Sequence, residues 1–368
     1  MSEDACGTAM SGQAPLALHV FSTFAVGGPQ VRFTDIAAHL GDTWRHQVVA
    51  MDGDLACRAR LAPGLNVDFV DIAHRKGAML ANARGFRRYL QTARPDVLVT
   101  YNWGSIEWAM ANFLPVTRHL HIADGFGPEE RATQLPRRVW LRRIFLRHAD
   151  ILVPSLTLRA IATDIWRLPR VRYVPNGIDL ARFTDLGRQP GDAAVIGTVA
   201  ALRAEKNLAR LLRAFHLLGD ASPARLMIVG DGPERAHLQL LAAELGLGAR
   251  VVFTGHTDRA QEYYQQFDIF ALSSETEQMP LSVLEAMASG LPVAATDVGD
   301  VRAMLADANA DCVVAQDDAA LAAALRLLVG NPARARAIGA ANRAKAQRDY
   351  DQAVMFAAHA ALLRGVGG

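Results

Sequence analysis

Several things are scarce in this chain of 368 residues, and each scarcity excludes something. Cysteine occurs only at Cys6, Cys57 and Cys312, odd in number and far apart. That excludes a disulfide framework and the paired spacing of a zinc site. Lysine occurs only at Lys76, Lys206 and Lys345, so arginine carries nearly all the positive charge, a skew expected of a GC-rich bacterial genome. No apolar run approaches the roughly 18 residues needed to span a bilayer. The first residues, "MSEDACGTAMSGQ", are polar and acidic and lack a charged-then-apolar leader, so cytoplasmic residence is expected. No zinc finger, aromatic RNA-binding signature or basic-region zipper is present, which argues against a nucleic-acid partner.

What is present describes a soluble globular protein, 51% hydrophobic and 21% charged. The length suits two domains of ordinary size. The charge is uneven: residues 1–188 hold 23 Arg and Lys against 17 Asp and Glu, and the remainder holds 16 against 20. A basic first half beside an acidic second half suggests that the first half meets something anionic.

Short apolar runs alternate with helical stretches along the whole chain, the pattern of parallel sheets with crossover helices. Expected strands in the first half are 16–22, 46–51, 67–70, 96–100, 119–123, 150–154 and 171–175, with helices around 77–92 and 136–148. The pattern restarts at 194–200, 225–230, 250–255, 268–274, 292–296 and 311–315. "DLGRQPGD" (185–192) reads as the linker between the halves. The expected fold is therefore α/β, two Rossmann-like doubly wound domains facing a cleft, with ligands at the carboxyl ends of the strands. The domain limits expected are 1–188, 189–348 and a closing helix at 349–368.

The stretch "TEQMPLSVLEAMASG" (276–290) then stands out. It follows the buried run "DIFALSS"; Pro280 sits where a first helical residue belongs and Gly290 where a helix stops. Glu277 falls in the loop over the cleft and Glu285 on the second turn of the helix. The amides of Leu281, Ser282 and Val283 form an anion site at the helix start. An anion site flanked by two carboxylates suits a ligand with both phosphates and hydroxyls, such as a nucleotide sugar. The competing reading is a plain packing helix, with Glu277 as its cap and Glu285 in solvent.

The motif Glu-x7-Glu in this stretch resembles the signature of the retaining glycosyltransferases of family four, which have the GT-B fold. "VGGPQ" (26–30), "VPNGID" (174–179), "LRAEKN" (202–207) and "IVGDGPE" (228–234) fall in that family's order. The resemblance runs from about Leu16 to the end of the sequence and is stronger in the second half. It implies transfer of a sugar from a nucleotide-diphosphate sugar to a hydroxyl of a carbohydrate or lipid-linked acceptor, in polysaccharide or glycolipid synthesis, with no metal and no further cofactor. The final helix resembles the one that crosses back onto the first domain. Alternatives are a nucleotide-sugar-binding protein without transfer activity and a nucleotide-sugar epimerase.

By that resemblance Lys206 neutralises the donor diphosphate. Its usual arginine partner, five residues earlier, is here Ala201; either Arg203 serves from a shifted position or the charge is missing. Gly27 and Gly28 lie beside the donor phosphates or the acceptor. Glu277, Met279, Pro280, Leu281 and Ser282 hold the transferred sugar and the diphosphate, and Glu285 holds the ribose. A strand-end histidine near the reacting carbon is expected; His121 is the candidate, with His119 and Asp124 behind it. Expected as catalytic, then, are His121, Lys206 and Glu277.

Three further stretches read differently. "VGDGPE" is not a dinucleotide fingerprint, since Arg235 stands at the third glycine position. Asp52 and Asp54 resemble a metal-binding pair, but Gly53 after a strand makes a turn the better explanation. "RRVWLRRIFLRH" (137–148) sets Trp140, Leu141, Ile144 and Phe145 against Arg138, Arg142 and Arg143. It reads as a core-facing helix with a solvated arginine face, or as a basic helix on the inner face of an anionic membrane.

Overall fold

The computed structural model describes residues 13–126, 130, 133–183, 193–219 and 224–366. The expected linker 185–192 lies outside the described residues. Among the described residues thirteen strands form two parallel sheets, at the positions where the apolar runs predict them. The first sheet contains β1 (Leu16–Phe21), β2 (Arg45–Ala50), β3 (Val67–Phe69), β4 (Val97–Tyr101), β5 (Arg118–Ile122), β6 (Asp150–Val153) and β7 (Val171–Tyr173). Its order is β3-β2-β1-β4-β5-β6-β7. The second contains β8 (Ala194–Val199), β9 (Ala224–Val229), β10 (Val251–Gly255), β11 (Ile269–Leu272), β12 (Val293–Thr296) and β13 (Val313–Val314), ordered β10-β9-β8-β11-β12-β13.

Helices cover both faces of each sheet, so central strands are buried on both sides and read as continuous apolar runs. Every residue of β1, β4, β11 and β12 is buried. Each sheet reverses its winding once, between β1 and β4 and between β8 and β11. Such a reversal splays the two following loops apart and opens a crevice at the carboxyl edge. In the first sheet these loops carry Gly27 and Asn102. In the second they carry Lys206 and Glu277.

The chain crosses between domains more than once. After β7, Asn176 donates to the Met279 carbonyl (3.0 Å). Ile178 exchanges backbone hydrogen bonds with Tyr350 and Gln352 (2.8 and 3.2 Å). The helix Gln352–Arg364 then buries Met355, Phe356, Ala360, Leu362 and Leu363 in one core with Phe33, Ile36 and Leu40 of the first domain. Arg118 caps its carboxyl end, donating to the carbonyls of Leu363 and Leu362 (2.9 and 2.8 Å). Gly177 is required at the crossing, because a Cβ there would stand 2.5 Å from the Gln352 Cα.

A second bridge is made by Asp300, a buried residue of the loop after β12. Its carboxylate accepts from the amides of Leu156 (2.5 Å) and Thr157 (3.0 Å) and from the Thr157 hydroxyl (2.7 Å). These are the first donors of the helix Leu156–Ala160, orphaned by helix geometry and here satisfied from the other domain.

The helix Pro136–Phe145 corrects the expected division of its faces. Arg142 points inward and is buried, whereas Trp140 is 63% exposed. Arg142 makes a two-pronged pair with Glu130 (2.9 and 2.7 Å), and Arg138 adds a third contact at 3.2 Å. The rings of Trp103, Phe126 and Trp166 lie 5.0, 5.8 and 4.5 Å from the Arg142 guanidinium. The two-pronged pair and the stacked rings satisfy the guanidinium, so it is buried without an unpaired charge. No described helix is long and apolar enough to cross a membrane.

Candidate functional site

The loops at the two winding reversals face each other across a pocket of about 330 Å³. From the first domain it is lined by Gly28, Pro29, Arg32, Asp124, Pro154 and Asn176. From the second come Ala200, Ala201, Lys206 and the run from Glu277 to Ser282. The structure thus brings Gly28, Lys206, Glu277, Met279, Pro280, Leu281 and Ser282 together.

Lys206 Nζ lies 2.5 Å from Glu277 Oε1, and the Ser274 hydroxyl donates to the same oxygen (2.7 Å). The loop carrying Glu277 is fixed on three sides. Asn176 holds the Met279 carbonyl, the Asp300 amide donates to the Gln278 carbonyl (2.9 Å), and Gly299 lies under the Glu277 carbonyl. Gly299 has φ +54°, and a Cβ there would come within 2.4 Å of that oxygen, so only glycine fits.

The helix Leu281–Ala288 begins at this loop. The Val283 amide, expected to be free, instead donates to the Pro280 carbonyl (3.1 Å). Among the described residues this leaves the amides of Leu281 and Ser282 without an acceptor at the pocket edge. Gly27 caps the opposing helix Gly28–Leu40, whose Gly28 has open space where a side chain would stand. Two helix amino termini, each with a partial positive charge, therefore meet at one pocket.

Glu285 lies one turn further in and does not line this pocket. Its Oε2 accepts from the Tyr264 hydroxyl (2.7 Å), which also contacts the Ser282 carbonyl (3.1 Å). Burial raises the Glu285 carboxyl above its usual range, against the opposing pull of the Tyr264 bond and of Arg182. It is not the solvent-facing glutamate of a plain packing helix.

His121 is placed differently from the expectation. It is 2% exposed, within β5, with Nδ1 2.8 Å from the Thr100 hydroxyl; His119 meets the same hydroxyl at 2.7 Å. Burial holds both imidazoles well below their usual pKa, His119 at about 3. Alternation along the strand points both inward. The residue of this segment that lines the pocket is Asp124, two beyond the strand end, while residues 127–129 of the following Gly-Pro loop lie outside the described residues.

Arg203 is exposed and lines a neighbouring cavity of about 880 Å³, together with Phe126, Gln134, Ile161 and Glu205. That cavity shares Glu277 and Gln278 with the pocket holding Ala201 and Lys206. Arg203 therefore does not occupy the place of an arginine at 201. Of the pocket residues that escaped the sequence reading, two are tied to each other. Arg32 donates to Asn176 Oδ1 (2.8 Å) and Asp124 Oδ1 (2.6 Å), and Asn176 ties both to Met279. Asn176 was signalled only by its place in "VPNGID"; Arg32 carried no signal.

The remaining stretches are structural. Gly230, in "VGDGPE", has φ +134° and lies against the Ala200 carbonyl, so its role is close packing of two loops. Asp52 and Asp54 accept from the amides of Asp54 and Ala56 (2.9 Å each), closing consecutive turns.

Each half of the chain matches a family description: "Glycosyl transferase 4-like domain" over residues 27–177 and "Glycosyl transferases group 1" over residues 186–345. A GDP-mannose-dependent alpha-(1-6)-phosphatidylinositol monomannoside mannosyltransferase of Mycolicibacterium smegmatis is 30% identical over 267 residues, 66% of this chain and 70% of that protein. The D-inositol 3-phosphate glycosyltransferase of Nocardia farcinica is 33% identical over 252 residues, 62% of this chain and 54% of that protein. Anabaena Alr3699/HepE, solved in complex with UDP, has the same fold: TM-score 0.79 at 18% identity, over 96% of this chain and 100% of that one. The chain belongs to the glycosyltransferases of the GT-B fold, in the family-four-like group. Its matches to three other curated comparisons take in 36%, 39% and 54% of those relatives' own lengths, the last being the Nocardia protein.

Proposed function

We propose that this protein transfers a sugar, with retention of configuration, from a nucleotide-diphosphate sugar to a hydroxyl of a carbohydrate or lipid-linked acceptor in polysaccharide or glycolipid synthesis. The observation that carries this reading is the pocket itself. Two helix amino termini, Lys206 and Glu277 converge where the winding of both sheets reverses. Lys206 and the amides of Leu281 and Ser282 take the diphosphate and stabilise the charge that grows on it as the glycosidic bond breaks. Glu277 accepts sugar hydroxyls, and the Glu285 carboxylate, set deeper, accepts the ribose hydroxyls.

Glu277 and Asp124, each paired with a cation in this pocket, act in this reading as hydrogen-bond acceptors for the sugar and not as nucleophiles. The acceptor oxygen attacks the face from which the diphosphate departs, and its proton passes to the departing phosphate oxygen. The larger neighbouring cavity, open to Glu277, receives the acceptor. For a lipid-linked acceptor, exposed Trp140 is the side chain that the 137–148 segment offers to a membrane surface.

Relatives named for GDP-mannose and a neighbour solved with UDP make guanosine and uridine the first bases to try. The test is thermal stability with UDP, GDP and ADP, in wild type and Glu285→Ala. A ligand at a hundred times its dissociation constant adds about 2.7 kcal/mol. Stabilisation by one nucleotide, lost in the variant, supports the donor site; no shift with any of them sinks it. Turnover of the matching nucleotide sugar, with the product's anomeric configuration read by NMR, then tests transfer and retention. Binding without turnover would favour a binding protein, and conversion of the donor with no acceptor present would favour an epimerase.

A further inference from the structure

The pocket holds two cations, one from each domain, and each faces a carboxylate. Lys206 pairs with Glu277 at 2.5 Å and Arg32 pairs with Asp124 at 2.6 Å. Arg203 belongs to the neighbouring cavity and Ala201 brings no charge. From the second domain, then, Lys206 is the one side-chain cation lining this pocket among the described residues. One lysine and two helix termini of about +0.5 charge each match the two charges of a bound nucleotide-sugar diphosphate, but not the further charge that grows on it as the glycosidic bond breaks. We propose that Arg32 supplies the second cation of the diphosphate site, so that the diphosphate is held from both sides of the cleft. This rests on the reading of the pocket as a nucleotide-sugar site.

Three features of Arg32 support the assignment. Its side chain is 6% exposed and anchored, with Nη1 donating to Asn176, so its charge is fixed at the pocket rather than trailing in solvent. Its pair with Asp124 is one-pronged: Asp124 Oδ2 is buried and has no hydrogen-bond partner. A guanidinium offers five N–H donors, and two of Arg32's are engaged by Asn176 and Asp124, leaving donors for a phosphate. Third, it projects from the helix that begins at Gly28, so the same element presents a partial positive charge and a full one.

The pairing with Asp124 also has a use. A diphosphate competes with Glu277 for Lys206 and with Asp124 for Arg32, since both its phosphates are anionic acceptors of charge-assisted hydrogen bonds. The two carboxylates are thereby released as hydrogen-bond acceptors, on opposite sides of the pocket, where the hydroxyls of the transferred sugar lie. Arg32 is a binding residue in this scheme, and Asp124 becomes one only after the exchange.

The experiment is titration calorimetry of UDP, UMP, GDP and GMP against wild type, Arg32→Gln and the double variant Arg32→Gln/Ala201→Arg. Wild type is expected to bind one diphosphate better than its monophosphate. Arg32→Gln is expected to weaken that diphosphate about tenfold to a hundredfold, the value of one charged hydrogen-bond partner. The monophosphate is expected to change far less. Ala201→Arg places a guanidinium in the same pocket from the other domain and should restore most of the loss. Undiminished diphosphate affinity in Arg32→Gln overturns the proposal. Equal loss of mono- and diphosphate, with no rescue by Ala201→Arg, also overturns it and makes Arg32 a structural residue. Should Arg32→Gln fail to fold, Arg32→Lys keeps the charge; a folded Arg32→Lys that no longer prefers the diphosphate overturns the assignment. Wild type that binds none of the four nucleotides refutes the nucleotide-sugar reading itself, a different failure.

Discussion

Replacing Asp300 by alanine should unlatch one domain from the other. Its carboxylate satisfies two helix-start amides and one hydroxyl of the first domain, while the residue itself belongs to the second. A helix-capping acceptor contributes about 1 kcal/mol, and a hydroxyl bonded to a buried carboxylate contributes about 1.5. Water re-solvates part of what is exposed, so the expected loss is about 3 kcal/mol. With an m value near the upper end of the usual range, the urea midpoint falls by about 1 M. The five tryptophans, Trp44, Trp103, Trp108, Trp140 and Trp166, all lie in the first domain, so their fluorescence reports that domain alone. Far-UV circular dichroism reports both. In wild type the two transitions should coincide; in Asp300→Ala the fluorescence transition should move to lower urea and separate from the other. A variant whose two midpoints stay within about 0.2 M of wild type would show that the latch contributes nothing, and the estimate built on it would fall.

Glu285→Gln should melt higher than wild type near neutral pH and bind nucleotide more weakly. A carboxyl whose folded pKa is raised destabilises the fold as pH rises through that value, so the gap should close as pH falls to about 4; a lower melting temperature at neutral pH contradicts this. Arg142→Leu leaves Glu130 buried with only Arg138 and the Leu135 amide as partners and should cost about 3 kcal/mol, part of which Arg142→Leu/Glu130→Leu recovers; a double variant no better than the single refutes it. Burial lowers the imidazole pKa of His46 and His359 to about 4 and of His119 to about 3. Their neutral forms favour folding above the unfolded pKa near 6.5, and that contribution drains away as pH falls towards 4, by about 1.4 kcal/mol per pH unit for each histidine. Thermal melts between those limits should show a steep fall, shallower in His359→Gln; a flat profile contradicts the assignment.

The elements most legible in the sequence are those whose surroundings are the same on both faces. "LALHVF" and "IFAL" are strands in central positions, where burial on both sides leaves an unbroken apolar run. β13 is shorter than its run "DCVVA" suggests, because residues 307–312 close a tight helix first. The Lys206 and Glu277 loops were readable as facing one cleft because each leaves the carboxyl end of an apolar run; that the winding reverses between those strands is seen only in the structure. Arg32, Asp300 and the pairing of Asp124 were not. Arg32 meets partners 92 and 144 residues away, and Asp300 meets Leu156 at a separation of 144. Local periodicity carries no information about such distances. The inner faces of His119 and Arg142 were hidden for a related reason: a hydroxyl or an aromatic cage from another element decides whether a polar side chain can be buried.

The helix Gln352–Arg364 completes a core that begins with residues near Leu16. During synthesis the second domain's sheet therefore leaves the ribosome, and can fold, before the first domain receives its last packing helix. Until then the face of the helix Gly28–Leu40 that it covers lacks its last packing partner. The first domain to be made is the second to be finished, and an aborted chain that stops short of residue 352 carries an exposed surface, a ready mark for chaperones and proteases.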